Sequence, residues 1–559
     1  MTSRRRSTHK SYHDDDAEDG GKEALLYHGK NPSAMRRLAT LANKHTPSMI
    51  ARVVHPTTFV VVLGIFLSHI AVGSAVYWWT THGSHICPSN IIDYINWSGS
   101  NAPYAGLVAF REERIDAYDS LVRIQAPSIP KKLEPVPAKY RKTFYYDGKK
   151  ISQPIARAYR SRGWTQVDEP GDAQWIYTYN SNGPWGKSLK KWQRFNWTPD
   201  YQKWNSKAEF AYYYRQWERQ TKKTSQYVPE TYMLSEGEED PVEFQKVLEE
   251  GGAKYPWVLK AGRINQGKGI TMMAPNSKEL MDLPKKALTI IQKDNNGQNS
   301  GKSESDDEDW EDMIVQKYVC NEMTWGRRKF DVRMYWVVAS LDPLIILYHD
   351  GYVRIGNSDY SEEDFSDTRA HLTTHTFLGA EGKATFDEFS EMLDNFWERK
   401  SSRAGASNRF PWPAKTPVEH VRNQFKDALS EMVEVFQQEA FAAPDGKRYT
   451  GENGFSFYCA DFILDNDLDV FFIEPQNGCG LDEDYYFRLE MHGSLFNGMT
   501  DIMEEIWHKQ EKGVPVMPLE NVGNWQILYG DGLIYRYKDY HRSTNKASCT
   551  TEKKAHKVK

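Results

Sequence analysis

The chain has 559 residues, 39% hydrophobic and 13% aromatic, which is enough for two or three structural units with real cores. With 71 basic and 76 acidic residues its formal charge of -5 argues against a general nucleic-acid binder. Five cysteines (Cys87, Cys320, Cys459, Cys479, Cys549) without CxxC spacing indicate neither a disulfide framework nor a zinc site, and Cys459 reads as core.

In chain order, residues 1–56 are polar, carry Arg4-Arg5-Arg6 and Asp14-Asp15-Asp16, and read as a disordered tail. Residues 57–79 contain no Asp, Glu, Lys or Arg and end in Tyr77-Trp78-Trp79, an interfacial aromatic belt, so they are expected to form a single transmembrane helix. Arg36, Arg37, Lys44 and Arg52 precede that helix and the next basic residue is Arg111, which places the amino terminus in the cytosol and the large domain in the lumen. Asn96-Trp97-Ser98 is a glycosylation sequon that would suit that orientation. Residues 80–141 are expected to be a tether, extended through Pro127 to Pro137.

The folded region is expected over 142–514. Thr143 to Tyr146 reads as a strand, Ile151 to Arg162 as a helix, Trp175 to Tyr179 as a strand and Lys207 to Trp217 as a helix. Tyr255 to Lys260 is a short apolar strand ending in a lysine, and Gln266-Gly267-Lys268-Gly269 follows. Lys260 and Lys268 supply charge for phosphate while the glycines admit backbone N–H groups. Residues 293–312 read as a disordered acidic insertion. Met313 to Val319 is a strand whose backbone could present a donor and an acceptor to an adenine edge.

Alternation then puts Lys329, Asp331, Arg333 and Tyr335 on one strand face and Phe330, Val332, Met334 and Trp336 on the other. The polar face suits either a salt-bridge ladder or a floor for phosphates and an anionic substrate. His349 to Arg354 returns beyond the Leu341-Asp342-Pro343 turn and brings Arg354. Thr416 to Ala442 has apolar residues at helical spacing and reads as core. Phe455 to Leu464 and Val470 to Glu474 form a hairpin around Asn466 to Asp469, which sets Asp461 opposite Glu474. Two carboxylates with Cβ atoms about 5 Å apart repel unless neutralised. Gln476 and Asn477 add oxygen ligands, a set that suits Mg²⁺. Residues 515–559 read as a basic tail.

Together these segments resemble the tubulin-tyrosine ligase family. The motifs occur in its order: Tyr227-Val-Pro-Glu-Thr-Tyr232, the Lys260 strand, Gln316-Lys317-Tyr318, Lys329-Phe-Asp331-Val-Arg333, Gly351-Tyr-Val-Arg354, His371-Leu-Thr373, and the Asp461 to Glu474 spacing. The resemblance implies an α+β, ATP-grasp fold with N-terminal, central and C-terminal α/β lobes, here behind the single transmembrane helix. It implies ATP held by Lys260, Gln316, Lys317, Lys329 and Asp331, with Lys268, Tyr318 and Thr374 beside them. Arg333 and Arg354 would hold a substrate carboxylate, and Asp461 and Glu474 would hold Mg²⁺. The implied reaction is ATP-dependent amide formation through an acyl phosphate, with an amino acid as co-substrate and tubulin or another acidic-tailed protein as partner. ATP and a cytoskeletal substrate favour a cytosolic domain, so the side of the membrane stays open.

Two departures are visible. The family has Asn where this chain has Thr374, and Glu-x-Asn where it has Glu474-Pro475-Gln476-Asn477. They leave open a catalytically inactive, membrane-anchored tubulin-binding homologue. The charge bias leaves open a lumenal ligase acting on a secreted polypeptide.

Overall fold

Segments with a side-chain period of two assemble into three sheets, and segments with helical period cover them. The computed structural model describes residues 120–542 apart from 129–131, 149–152, 179–188, 199–202, 204–205, 236, 263–268, 296–311, 363, 374–377, 405–409, 438–453 and 484–485. The tail expected at 1–56 and the transmembrane helix expected at 57–79 lie outside the described residues. Among the described residues no helix is long and apolar enough to cross a membrane.

A short strand, β1 (Leu121–Arg123), precedes the first sheet, which comprises β2 (Thr143–Tyr146), β3 (Thr165–Gln166), β4 (Trp175–Tyr177) and β5 (Arg194–Phe195), in the order β3-β2-β4-β5 and parallel throughout. Parallel pairing requires a crossover, and α1 (Gln153–Ser161) supplies it between β2 and β3. The helix buries Ile155 and Tyr159 against Phe144, Trp164 and Trp175.

Helix α2 (Lys207–Thr221) leads to the second sheet: β6 (Thr231–Met233), β7 (Trp257–Ala261), β8 (Ile270–Met273) and β9 (Met313–Lys317), antiparallel in the order β6-β9-β7-β8. Helices α3 (Glu239–Glu249) and α4 (Lys278–Asn295) cover it, with Phe244, Leu280 and Trp257 in its core.

The third sheet has nine strands. After β10 (Thr324–Trp325) come the long pair β11 (Arg328–Leu341) and β12 (Leu344–Asp359), β13 (Leu378–Ala384), β14 (Ser456–Leu464), β15 (Val470–Gln476), β16 (Gln526–Gly530) and β17 (Leu533–Tyr535). The order is β1-β17-β16-β12-β11-β14-β15, with β10 on β11 and β13 on β12. Its two faces are the two halves of the β11 alternation. Phe330, Val332, Met334 and Trp336 pack with Val421, Phe425, Leu429 and Met432 of α7 (Pro417–Phe436), whereas Tyr335 and Val337 pack with Leu495, Met499 and Ile502 of α8 (Tyr486–Lys512). The Thr416 side chain caps α7 by accepting from the Glu419 N–H at 3.2 Å, and Pro417 sits at its first position. Phe425 is wholly buried, so truncating it to Ala would cost on the order of 3 kcal/mol. Two further helices, α5 (Thr368–His371) and α6 (Phe386–Ala404), flank β13 in sequence.

The three sheets agree with the three lobes of the α+β expectation. The sheet also extends past both limits set from sequence. β1 lies in the expected tether and pairs with β17, which lies in the expected tail together with β16. Strands of three to five residues carry too few positions for a period to show, and pairing alone makes them strands. Tyr540, in the same tail, donates to Asp469 Oδ1 at 2.8 Å.

Candidate active site

Pairing register builds the site. Asp331 lies opposite Arg354, Arg354 opposite Lys383, Arg333 opposite Asp461, and Asp461 opposite Glu474, so five strands contribute charges to one sheet face. Arg333 donates from Nε to Asp461 Oδ1 and from Nη2 to Oδ2, each at 2.8 Å, from Nη2 also to Gln476 Oε1 at 3.0 Å, and from Nη1 to the Cys479 carbonyl at 3.2 Å. Arg354 grips both oxygens of Asp331 at 2.6 Å and reaches Asp461 Oδ2 at 2.8 Å. Thr373 donates to Asp331 Oδ2. Of the two readings of this face, the ion-pair ladder is what the strands display.

Burial alone would raise the acids here. At Asp461 burial is outweighed by the guanidiniums of Arg333 and Arg354, which hold it at about 2. At Glu474 burial is outweighed chiefly by Lys207, whose Nζ is 3.3 Å from Oε2, so this acid too lies below its ordinary value. At Asp331 burial prevails over Arg354 and the value rises.

On the central sheet, Lys260 near the end of β7 donates to Gln316 Oε1 at 2.6 Å, and Gln316 Nε2 donates to Thr231 at 2.9 Å. Burial, with Lys207 and Lys329 nearby, brings Lys260 down to about 8 against the pull of Glu474. Lys329 donates to Glu322 Oε1 at 2.6 Å and to the Tyr318 hydroxyl at 3.3 Å. Tyr318 meets His371 Nδ1 at 2.9 Å, while His371 Nε2 lies 2.7 Å from the Asp364 carbonyl. A carbonyl only accepts, so Nε2 carries the proton and Nδ1 accepts from Tyr318.

Several expected residues stand elsewhere. Lys317 points away from Gln316, toward Glu230 at 3.4 Å and the Tyr255 ring at 4.1 Å. Asn477 is exposed beyond the end of β15, so Gln476 alone of the two amides joins the carboxylates. Lys268 and Thr374 lie outside the described residues. Sequence reasoning missed Lys207, Glu322 and Lys383. Single charged residues at a helix start, in a loop and on a short strand carry no pattern of their own.

Cys459 and Cys479 correct a further expectation, since they form a disulfide with Cα atoms 5.6 Å apart. Their separation of 20 residues has no motif value. The β14–β15 hairpin folds one back onto the other.

The donor set for a cation is two carboxylates and one amide. Gln476 Nε2 donates to Asp461 Oδ2 at 3.1 Å and to Glu474 Oε1, bridging the two acids as a shared cation would. Both acids are held ionised by neighbouring cations, so the two carboxylates fit Mg²⁺, which takes one or two carboxylates and completes its shell with water and phosphate. Among the described residues no three His, Cys, Asp or Glu side chains gather to hold a metal.

Comparison with known proteins adds an independent line. The model of the tubulin-tyrosine ligase family matches residues 187–476. The chain is 25% identical over 350 residues to the "Probable tubulin polyglutamylase TTLL9" of Rattus norvegicus, covering 58% of this chain and 68% of that one. It is 26% identical to the Bos taurus protein of the same name, covering 53% and 63%, and 23% identical to the "Protein polyglycylase TTLL10" of Rattus norvegicus, covering 55% and 42%.

Proposed function

Because the chain belongs to the tubulin-tyrosine ligase family, we propose that it is an ATP- and Mg²⁺-dependent ligase joining an amino acid to a carboxylate of tubulin or a tubulin-like acidic tail. The relatives' names, polyglutamylase and polyglycylase, support a tubulin-directed ligase. The observation that carries the reading is Asp461 opposite Glu474, with Arg333, Arg354 and Lys260 converging beside them.

In the reaction proposed, a substrate carboxylate attacks the γ-phosphorus of ATP, ADP leaves, and an amine displaces phosphate from the resulting acyl phosphate. Bound Mg²⁺ would neutralise phosphate charge. Asp461 and Glu474, with Gln476, would hold it. Lys260 and Lys329 would bind phosphate oxygens as point charges, and Arg333 and Arg354, whose Nε and Nη2 already hold Asp461 and Asp331, would attract the substrate carboxylate by charge. Phosphoryl transfer needs alignment and charge compensation more than covalent help, so cations on a rigid sheet suffice. The test is tubulin-stimulated ADP release and a mass increment on an acidic tail, run on the full chain in detergent beside Glu474→Gln. Normal turnover by that variant would remove the metal assignment, and ATP binding without turnover would favour the inactive anchored homologue.

For the membrane segment at 57–79 we propose a single-pass anchor. The Cys459–Cys479 disulfide supports a second reading in which the domain faces an oxidising lumen and modifies a secreted polypeptide. Glycosylation of Asn96 in cells would favour that orientation, and an unmodified Asn96 the cytosolic one.

A further inference from the structure

Arg333 is the most heavily engaged cation of the site, and one of its acceptors comes from outside the sheet. Three of its four hydrogen bonds end on Asp461 and Gln476, side chains of β14 and β15. The fourth ends on the main-chain carbonyl of Cys479, three residues past the end of β15. A loop carbonyl has no ladder to keep it in place. The covalent tie from this loop to the sheet is Cys479 itself, bonded to Cys459 in the middle of β14, two residues before Asp461. Both sulfurs are buried, at 3.6 and 3.8 Å from the Gln476 carbonyl oxygen, so the link lies directly against the residue that bridges the two acids.

The same loop carries two more acceptors for cations. Gly480 offers its carbonyl to Arg488, and the Asp482 carboxylate takes Arg488 at 2.6 Å and Lys383 at 3.2 Å. Lys383 lies directly opposite Arg354 in the sheet. Residues 479–482 therefore form a strap laid over the cationic part of the site, fastened at one end by a covalent bond.

We propose that the Cys459–Cys479 disulfide is the positioning element for Arg333, and that its reduction by a thiol weakens capture of the substrate carboxylate while leaving nucleotide binding in place. This rests on the ligase reading. The chemistry balances as thiol–disulfide exchange: a dithiol supplies two electrons and two protons, the Sγ–Sγ bond becomes two thiols, and the reductant leaves as its own disulfide. Nucleotide contacts are spared because Lys260, Gln316 and Lys329 sit on β7, β9 and β11 and receive nothing from the strap. The expected effect is a rise of about tenfold in KM for the carboxylate-bearing substrate, the equivalent of one charge-assisted hydrogen bond, with KM for ATP little changed.

The experiment uses the full chain with tubulin and labelled amino acids, before and after dithiothreitol, beside Cys479→Ser. Peptide mapping without reductant and hydrogen exchange of residues 477–483 are followed in the same samples. The proposal expects a mapped 459–479 link, faster exchange of 477–483 on reduction, a raised acceptor KM, and a Cys479→Ser protein that matches the reduced wild type and ignores dithiothreitol. Turnover with an unchanged acceptor KM after reduction would overturn the proposal while the ligase stands, as would two free thiols in the unreduced protein. No turnover in any sample, with the link and its exchange effect present, would instead sink the ligase reading. Should Cys479→Ser fail to fold, the reduced wild type decides alone.

Discussion

Asp461 accepts two parallel hydrogen bonds from Arg333, at 2.8 Å each, and a third from Arg354, so the acid expected to hold a cation already lies between two cations. Asp461→Asn would leave both guanidiniums buried with one partner fewer. The expected loss is about 3 kcal/mol of stability, read from urea denaturation, as for a broken buried pair. The Glu474 side chain is 20% exposed against 5% for Asp461, and Glu474→Gln should cost less than Asp461→Asn, about 1–2 kcal/mol, while abolishing turnover. Equal destabilisation by the two variants would contradict the sandwich.

Lys260 sets a limit in alkaline solution. Burial brings it down to about 8, so the charge proposed for phosphate is present below that value and is lost as pH rises through it. ATP affinity should then fall about fivefold between pH 8 and 9, where an ordinary lysine would stay charged. Titration calorimetry across that range checks it, and a flat affinity would exclude Lys260 as the phosphate cation.

Gly351 stands where β12 passes the Arg333 carbonyl, and a Cβ built there would lie 1.8 Å from that oxygen. Gly351→Ala must displace the strand that carries Arg333. We expect a loss of about 3 kcal/mol, as for severe overpacking, together with a raised KM for the carboxylate substrate. Thermal unfolding and steady-state kinetics on one preparation test both.

Glu431 on α7 is pushed up to about 7, mainly by burial, against its hydrogen bonds from Ser225 and the Gln226 N–H. An acid with a raised folded value favours the fold while protonated. Its contribution is whole below the unfolded value and is lost as pH rises from about 4.3 to 7. Glu431→Gln should stabilise the protein by about 2 kcal/mol at pH 8 and have little effect at pH 4. Denaturation curves at the two pH values decide it.

The hairpin was legible in the sequence because alternation at Phe462, Glu474 and their neighbours and a turn rich in Asn and Asp are local features. The expected opposition of Asp461 and Glu474 is found, but through a register shift between Asp461 and Phe462: the ladder from the turn pairs Leu464 with Val470 and Phe462 with Phe472, and the shift brings Glu474 rather than Ile473 opposite Asp461. The polar face of β11 was legible from local features too, and so was α7. Lys207 was not, because it reaches Glu474 from a helix more than 260 residues earlier in the chain and nothing local distinguishes it. The disulfide was not legible either, since its pairing depends on how far the chain curls back after Gln476.

The amino-acid sequence by itself determined the elements with strong local period, the family motifs and the hairpin that carries the two acids. Side-chain alternation and turn chemistry act over a few residues, and that range suffices for these features. Only the tertiary structure decided which charges neutralise one another: that Arg333 and Arg354 both close on Asp461, that Gln476 rather than Asn477 bridges the acids, and that Glu322 holds Lys329. It also decided that short strands from both ends of the described chain complete the large sheet. Such pairings are long-range. Register and burial, which arise only when distant strands meet, select among partners that composition leaves equivalent.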